Sequence, residues 1–202
     1  MIVYVETNFI LELAFQQEQR DACEEILHLS ETGSVNLVIP AYCLAEPHEK
    51  LKRQEIERRQ LQELLDRELK QLLRTADHYS RIQSIQELSS LIVQSSQVQR
   101  ARFEEYRQRL LAIAEIIPLS RDILVAAIFG ETRNELKPQD AIVYASIQTH
   151  LKGRTVQPCC FINRNTKDFD NSIIVDELKQ SQCRMIPRFD HGREFIVSNL
   201  SN

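Results

Sequence analysis

The apolar positions of the chain fall into two kinds of run. Short, nearly continuous runs occur at residues 2–5 (IVYV), 35–39 (VNLVI), 159–162 (CCFI) and 183–186 (CRMI). They suit strands buried on both faces, as in a parallel sheet. Between the first two, residues 9–29 carry Ile10, Leu13, Ala14, Ala22, Ile26 and Leu27 at helical spacing, and Thr32-Gly33 ends the stretch. Pro40 closes the second run, and residues from 41 onward read as helix. The opening is therefore β-α-β-α, the order of a parallel sheet with crossover helices.

Residues 47–115 follow a different rule. They hold no glycine and one proline, Pro47, and are rich in Glu, Gln, Arg and Leu. Leu61, Leu65, Leu69, Leu72 and Leu73 form one stripe; Ile82, Ile85, Leu88, Leu91 and Ile92 form another; Phe103, Tyr106, Leu110 and Ile113 follow. These are long amphipathic helices with a break expected near 75–80. They either close on each other as a helical hairpin or lie on the main core. The α/β pattern then resumes. Ile117-Pro118 leads into a helix at about 120–129. Pro138 sits in the favourable first turn of a helix running to about 151. Asp170, Asn171 and Ser172 offer caps for a helix at 173–179. The expected fold is one α/β domain over 1–202: three layers (α/β/α), a central parallel sheet of about four to five strands, and a helical insertion at about 47–115.

Composition narrows the function classes. Only four glycines occur in 202 residues, and no GxGxxG phosphate loop is present. A net charge of −4 excludes a uniformly basic nucleic-acid binder. The acid is unevenly spread, however. Residues 1–46 hold Glu6, Glu12, Glu18, Asp21, Glu24, Glu25, Glu31 and Glu46 against Arg20 alone, and the remainder is slightly basic. The five cysteines form no CxxC pair and read as free thiols. The chain shows no signal-peptide pattern and no span of ~20 apolar residues, so a cytoplasmic protein without membrane association is expected.

In an open parallel sheet, ligands bind beyond the C-terminal strand ends. Glu6 follows the first strand, Glu46 lies just past the second, Asp140 opens the 138–151 helix, and Asn163, Arg164, Asn165, Thr166, Lys167 and Asp168 follow the third. Carboxylates gathered at one edge repel, and a hard divalent cation such as Mg²⁺ or Mn²⁺ relieves that repulsion. Each residue has a plainer reading. Glu6 could simply terminate a strand, Glu46 could face solvent, Asp140 could serve the helix dipole, and Asp168 and Asn165 could be turn residues. Their coincidence at one edge carries the argument. His48 and His150 have no nucleophile or carboxylate pattern around them and read as structural. Ser146 and Cys160 lack a nucleophile elbow, and VETNF is not the DxDx[TV] of an aspartyl phosphatase.

Four blocks, VYVETNFILE, IPAYCLAEP, LKPQDAIVYASI and CFINRNTKDF, together resemble the PIN-domain family of metal-dependent nucleases. The resemblance implies a metal-dependent endoribonuclease. Glu6, Glu46 and Asp140 would be its core acids and Asp168 the fourth. Glu6, Asp140, Asn165 and Asp168 would hold one or two Mg²⁺ or Mn²⁺ ions, and Asn8 would order the first acid's loop. Two positions depart from the family pattern: Glu6 stands where Asp is usual, and Asn163 where Thr is usual. RNA, single-stranded, is the implied substrate. Lys50, Lys52, Arg53, Arg58 and Arg59 on the insertion, with Arg164 and Lys167, supply positive charge for its backbone. The first five read equally well as a solvated helix face, because Glu49, Glu55 and Glu57 are interleaved. No aromatic stacking platform is visible. A binding module that keeps the fold without the chemistry, and an assembly module docking through its helical stripes, remain as alternatives. The protein partners these readings admit are a second copy (homodimer), an antitoxin or another protein.

Overall fold

Both faces of the first strand are covered, which is why IVYV contains no polar position. A computed structural model of the chain describes residues 1–72, 74, 79–155, 157–164, 169 and 171–201, with 79–87 as backbone. Five strands form one parallel sheet: β1 (Ile2–Val5), β2 (Asn36–Pro40), β3 (Glu115–Ile117), β4 (Cys159–Ile162) and β5 (Cys183–Ile186). Their order is β3-β2-β1-β4-β5. Tyr4 lies in register with Val38 on one side and Phe161 on the other. Helices flank the sheet: α1 (Thr7–Phe15), α2 (Arg20–Glu31), α3 (Ala41–Leu72), α4 (Tyr79–Ile113), α5 (Arg121–Arg133), α6 (Pro138–Gly153), α7 (Ser172–Gln180) and α8 (Phe189–Leu200). Helices α1, α2, α4 and α8 pack on one another, while α5 packs on α6. The fold is the α/β architecture expected, with a parallel sheet of five strands.

Three elements differ from the sequence pattern. The stretch read as one helix over 9–29 is two. Gln16 turns left-handed (φ 53°) and ends α1. The buried carboxylate of Glu12 accepts the Gln19 N–H at 3.0 Å, so a charged side chain secures the break. The three residues before Pro118 form the edge strand β3, pairing Ile39 with Ile116. Three residues are too short for an alternation to register. Helix α8, beyond the last apolar run, has only Phe189, Gly192 and Ile196 buried, a stripe too sparse to stand out in the sequence.

The long helices answer the open question about the insertion in both ways. Helix α3 packs along α4, and the last turns of α4 join the main core through Phe103, Tyr106 and Leu110. Farther out, Leu61, Leu64, Leu88 and Leu91 are exposed. Arg58 stitches the pair: its Nη1 donates to Ser96 Oγ at 2.9 Å, Gln99 Oε1 at 2.8 Å and Ser95 Oγ at 3.2 Å. Of the break expected near 75–80, residues 75–78 lie outside the described residues, as do the side chains of Ile82 and Ile85. Asn171 is the N-cap of α7, and Asp170 lies outside the described residues. All five cysteines are free and buried. Among the described residues no helix is long and apolar enough to cross a membrane.

Candidate functional site

Strand order decides where a site can form. From β1 the chain crosses one way to β2, and from β3 it crosses back past β1 to β4. The switch point therefore lies beyond the C-terminal ends of β1 and β4, where an open α/β sheet leaves a crevice. A cavity of about 550 Å³ lies there. Glu6, Glu46 and Asp140 line it together, from the end of β1, from α3 and from the first turn of α6. The sequence separates these residues by up to 134 positions (140 − 6), and the fold brings them to one cavity.

Glu6 is both cap and wall. It is the N-cap of α1, and its Oε2 accepts the Asn8 N–H at 2.7 Å, satisfying one of the free donors of that helix. Its Oε1 accepts the Arg164 N–H at 3.3 Å, which ties the end of β1 to the end of β4. Asn8 thus bonds Glu6 through its backbone N–H. The carboxyl is 5% exposed. Burial pushes its pKa up to about 7; hydrogen bonds from Asn8 and Arg164 oppose the rise, and the charge of Asp140 adds to it. Both of these donors are neutral backbone N–H groups.

Glu46 is held by Thr7, whose Oγ1 donates to its Oε2 at 2.5 Å. Thr7 was not singled out in the sequence, although it sits immediately after Glu6. Tyr42, one helical turn before Glu46, also lines the cavity, and so do Phe169, Lys137 and Gln139. The cavity wall therefore includes the aromatic residues Tyr42 and Phe169. Burial, followed by the charges of Glu46, Cys43 and Asp140, raises the Tyr42 phenol above its ordinary range.

The basic residues divide. Lys50 and Arg53 line the cavity on the same face of α3 as Glu46, with Glu49 among them. Lys50 has no ion-pair partner among the described residues, and Arg53 has only a 3.9 Å approach to exposed Glu57. Lys52 is exposed and lies outside the lining. The Arg58 guanidinium is spent on α4, and Arg59 pairs with Glu55 at 3.0 Å. Arg164 turns its guanidinium away from the cavity, pairing with buried Glu12 and approaching Glu18 at 3.6 Å. It contributes its backbone N–H instead, because the internal acid on α1 outcompetes solvent for its charge. Asn163 is buried, and its N–H donates to Ile186 O at 3.0 Å. Asn165, Lys167 and Asp168 lie outside the described residues. His150 is held between Tyr4 (2.7 Å) and Glu115 (2.9 Å), and His48 lies 3.8 Å from Glu104; neither lines the cavity.

Among the described residues no three carboxylate, histidine or cysteine side chains come close enough together to form a metal site. The donors present are all hard carboxylate oxygens. Mg²⁺ is commonly bound through one or two carboxylates with its remaining positions on water and phosphate. The carboxylates that line the cavity fit such an ion in donor type.

A family model for the PIN domain matches residues 3–169, a range that opens in β1 and ends at Phe169. The chain belongs to the PIN-domain family. PIN domains are generally nucleases, bind nucleic acid and typically use divalent ions. This PIN domain carries Glu46 in the second turn of a helix of 32 residues. No curated protein and no solved structure matches the chain.

Proposed function

We propose that this PIN domain is a metal-dependent endoribonuclease that hydrolyses phosphodiester bonds of single-stranded RNA. The observation that carries the reading is the convergence of Glu6, Glu46 and Asp140 on one cavity at the switch point of the sheet. Glu6 and Asp140, with Asn165 and Asp168, would hold one or two Mg²⁺ or Mn²⁺ ions. When bound, such an ion supplies a nucleophilic water near neutral pH and offsets charge on the phosphate. The remaining work belongs to the chain. Glu46, oriented by Thr7, faces the cavity as the acceptor for the proton of the attacking water. Lys50 and Arg53 hold the RNA backbone at the cavity mouth. Lys52 and Lys167 extend that contact, and Arg164 supports Glu6 through its backbone.

The test is calorimetric titration of Mn²⁺ into the wild type and Asp140→Asn, with cleavage of a mixed-sequence single-stranded RNA followed alongside. Binding and cleavage that both disappear in Asp140→Asn support the reading. No binding by the folded wild type at millimolar Mn²⁺ sinks it and leaves a PIN scaffold that binds without cutting. A second reading has its own observation: Leu88 and Leu91 are 63% and 61% exposed on α4, surface that assembly through the insertion would cover. A monomeric mass at high concentration, with no partner added, counts against self-assembly there.

A further inference from the structure

The cavity wall raises a difficulty for any phosphate. Glu6, Glu46, Glu49 and Asp140 all line it, and a phosphodiester brought there meets four carboxylates. Positive charge at the site relieves the net repulsion, but the non-bridging phosphate oxygens still need hydrogen-bond donors with fixed direction. The donors in the wall can be sorted by what they already do. The Thr7 hydroxyl is committed to Glu46, and the Asn8 N–H to Glu6. Lys50 and Arg53 lie one and two turns beyond Glu46, on long flexible stems. Gln139 is exposed.

Tyr42 is different. It follows Pro40 and Ala41 at the very start of α3, where the end of β2 fixes the helix in place. Its ring is half-buried against the core, so the side chain is stiff. It stands four residues before Glu46 and so shares its helix face. Its hydroxyl makes no hydrogen bond among the described residues. A phenol is a neutral donor at physiological pH. It adds no charge to the acid cluster and does not compete with a cation there.

We infer that the Tyr42 hydroxyl donates a hydrogen bond to a non-bridging oxygen of the RNA phosphate held over Glu6, Glu46 and Asp140, making Tyr42 a substrate-contacting residue of the site. The inference rests on the nuclease reading for the identity of the substrate. It requires no proton transfer: the phenol keeps its hydrogen throughout.

The test uses the full chain with Mn²⁺ and a mixed-sequence single-stranded oligoribonucleotide, comparing wild type, Tyr42→Phe and Tyr42→Ala. Tyr42→Phe removes only the donor. It is expected to lower kcat/KM by about 10- to 100-fold, the range for a hydrogen bond to a charged group. The melting temperature and Mn²⁺ affinity should stay at wild-type values, and Tyr42→Ala should be little worse than Tyr42→Phe. A Tyr42→Phe protein within about 2-fold of wild type overturns the inference. So does a large loss confined to Tyr42→Ala, which would assign the ring to base stacking or packing. If the wild type binds the oligonucleotide without cleaving it, the nuclease reading fails alone: a 10-fold or greater weakening of binding by Tyr42→Phe then supports the contact, and an unchanged affinity overturns it. A wild type that does not bind RNA overturns both.

Discussion

Gly192 in α8 offers the sharpest stability test of how the sheet edge under the site is held. A Cβ added there would lie 2.4 Å from Ile162 Cδ1, 2.9 Å from Cγ1 and 3.0 Å from Cγ2. Carbon atoms settle at about 3.5–4.0 Å, so Cδ1 alone must retreat by about 1 Å. A swing of Cδ1 does not clear the other two contacts, because both γ-carbons branch from a stiff χ1. Ile162 is fully buried, with no vacant side to move into. Gly192→Ala therefore calls for a shift of α8 or of the end of β4. Overpacking of this kind costs about 1–3 kcal/mol, and three contacts place it toward the upper end. The better helix propensity of Ala returns about 1 kcal/mol. The net is a loss of about 1–2 kcal/mol, or roughly a 2–8 °C drop in Tm for a domain of this size. Thermal unfolding by circular dichroism measures it. Ile162→Val should cost about 0.5–1.5 kcal/mol alone. In combination it should cost less than the sum, because it removes the 2.4 Å contact. A Gly192→Ala protein as stable as wild type, or a strictly additive double variant, would refute the reasoning. The position matters for the site because Ile162 ends β4, two residues before the Arg164 N–H that donates to Glu6.

Two further predictions concern the site and the insertion. Raising Glu6 from 4.5 to about 7 means that the folded protein keeps this proton longer than the unfolded chain does. In metal-free protein the stabilisation is complete below pH ~4.5 and is lost as pH rises through about 7. The loss amounts to about 3 kcal/mol, with Glu46 and Asp140 the acids facing it. Glu6→Gln should flatten that slope and be the more stable protein at pH 8 under chelator; melting curves that run parallel from pH 5 to 8 would contradict this. Arg58→Ala should lower Tm by about 2–12 °C, because it strands the buried Ser96 hydroxyl, at a cost of about 1–3 kcal/mol. RNA cleavage should be unaffected, and a matching loss of cleavage would return Arg58 to the substrate-binding face.

How much was legible in advance follows from how local each signal is. The strands β1 and β4 were visible because strands buried on both faces must be apolar throughout, and IVYV and CCFI are fully buried; β5 was visible although Arg184 is exposed, because its other three residues are apolar. The edge strand β3 was not, since Glu115 is exposed and Ile116 only partly covered. The acids Glu6, Glu46 and Asp140 could be placed at one sheet edge because each follows a strand or opens a helix near its end. Their meeting in one cavity needed the crossing of β4 back past β1. The commitments of the arginines were invisible. Arg58 and Arg164 look like any surface cation in the sequence, and only packing brings Ser96 and Glu12 against them. The same holds for Thr7 and Tyr42, ordinary residues until α3 docks on α1. Hydrophobic periodicity, a local property, thus determined the class of fold and the edge where function had to lie. Which donors and charges face that edge depends on contacts between residues far apart in the chain, and those exist only once the helices are packed.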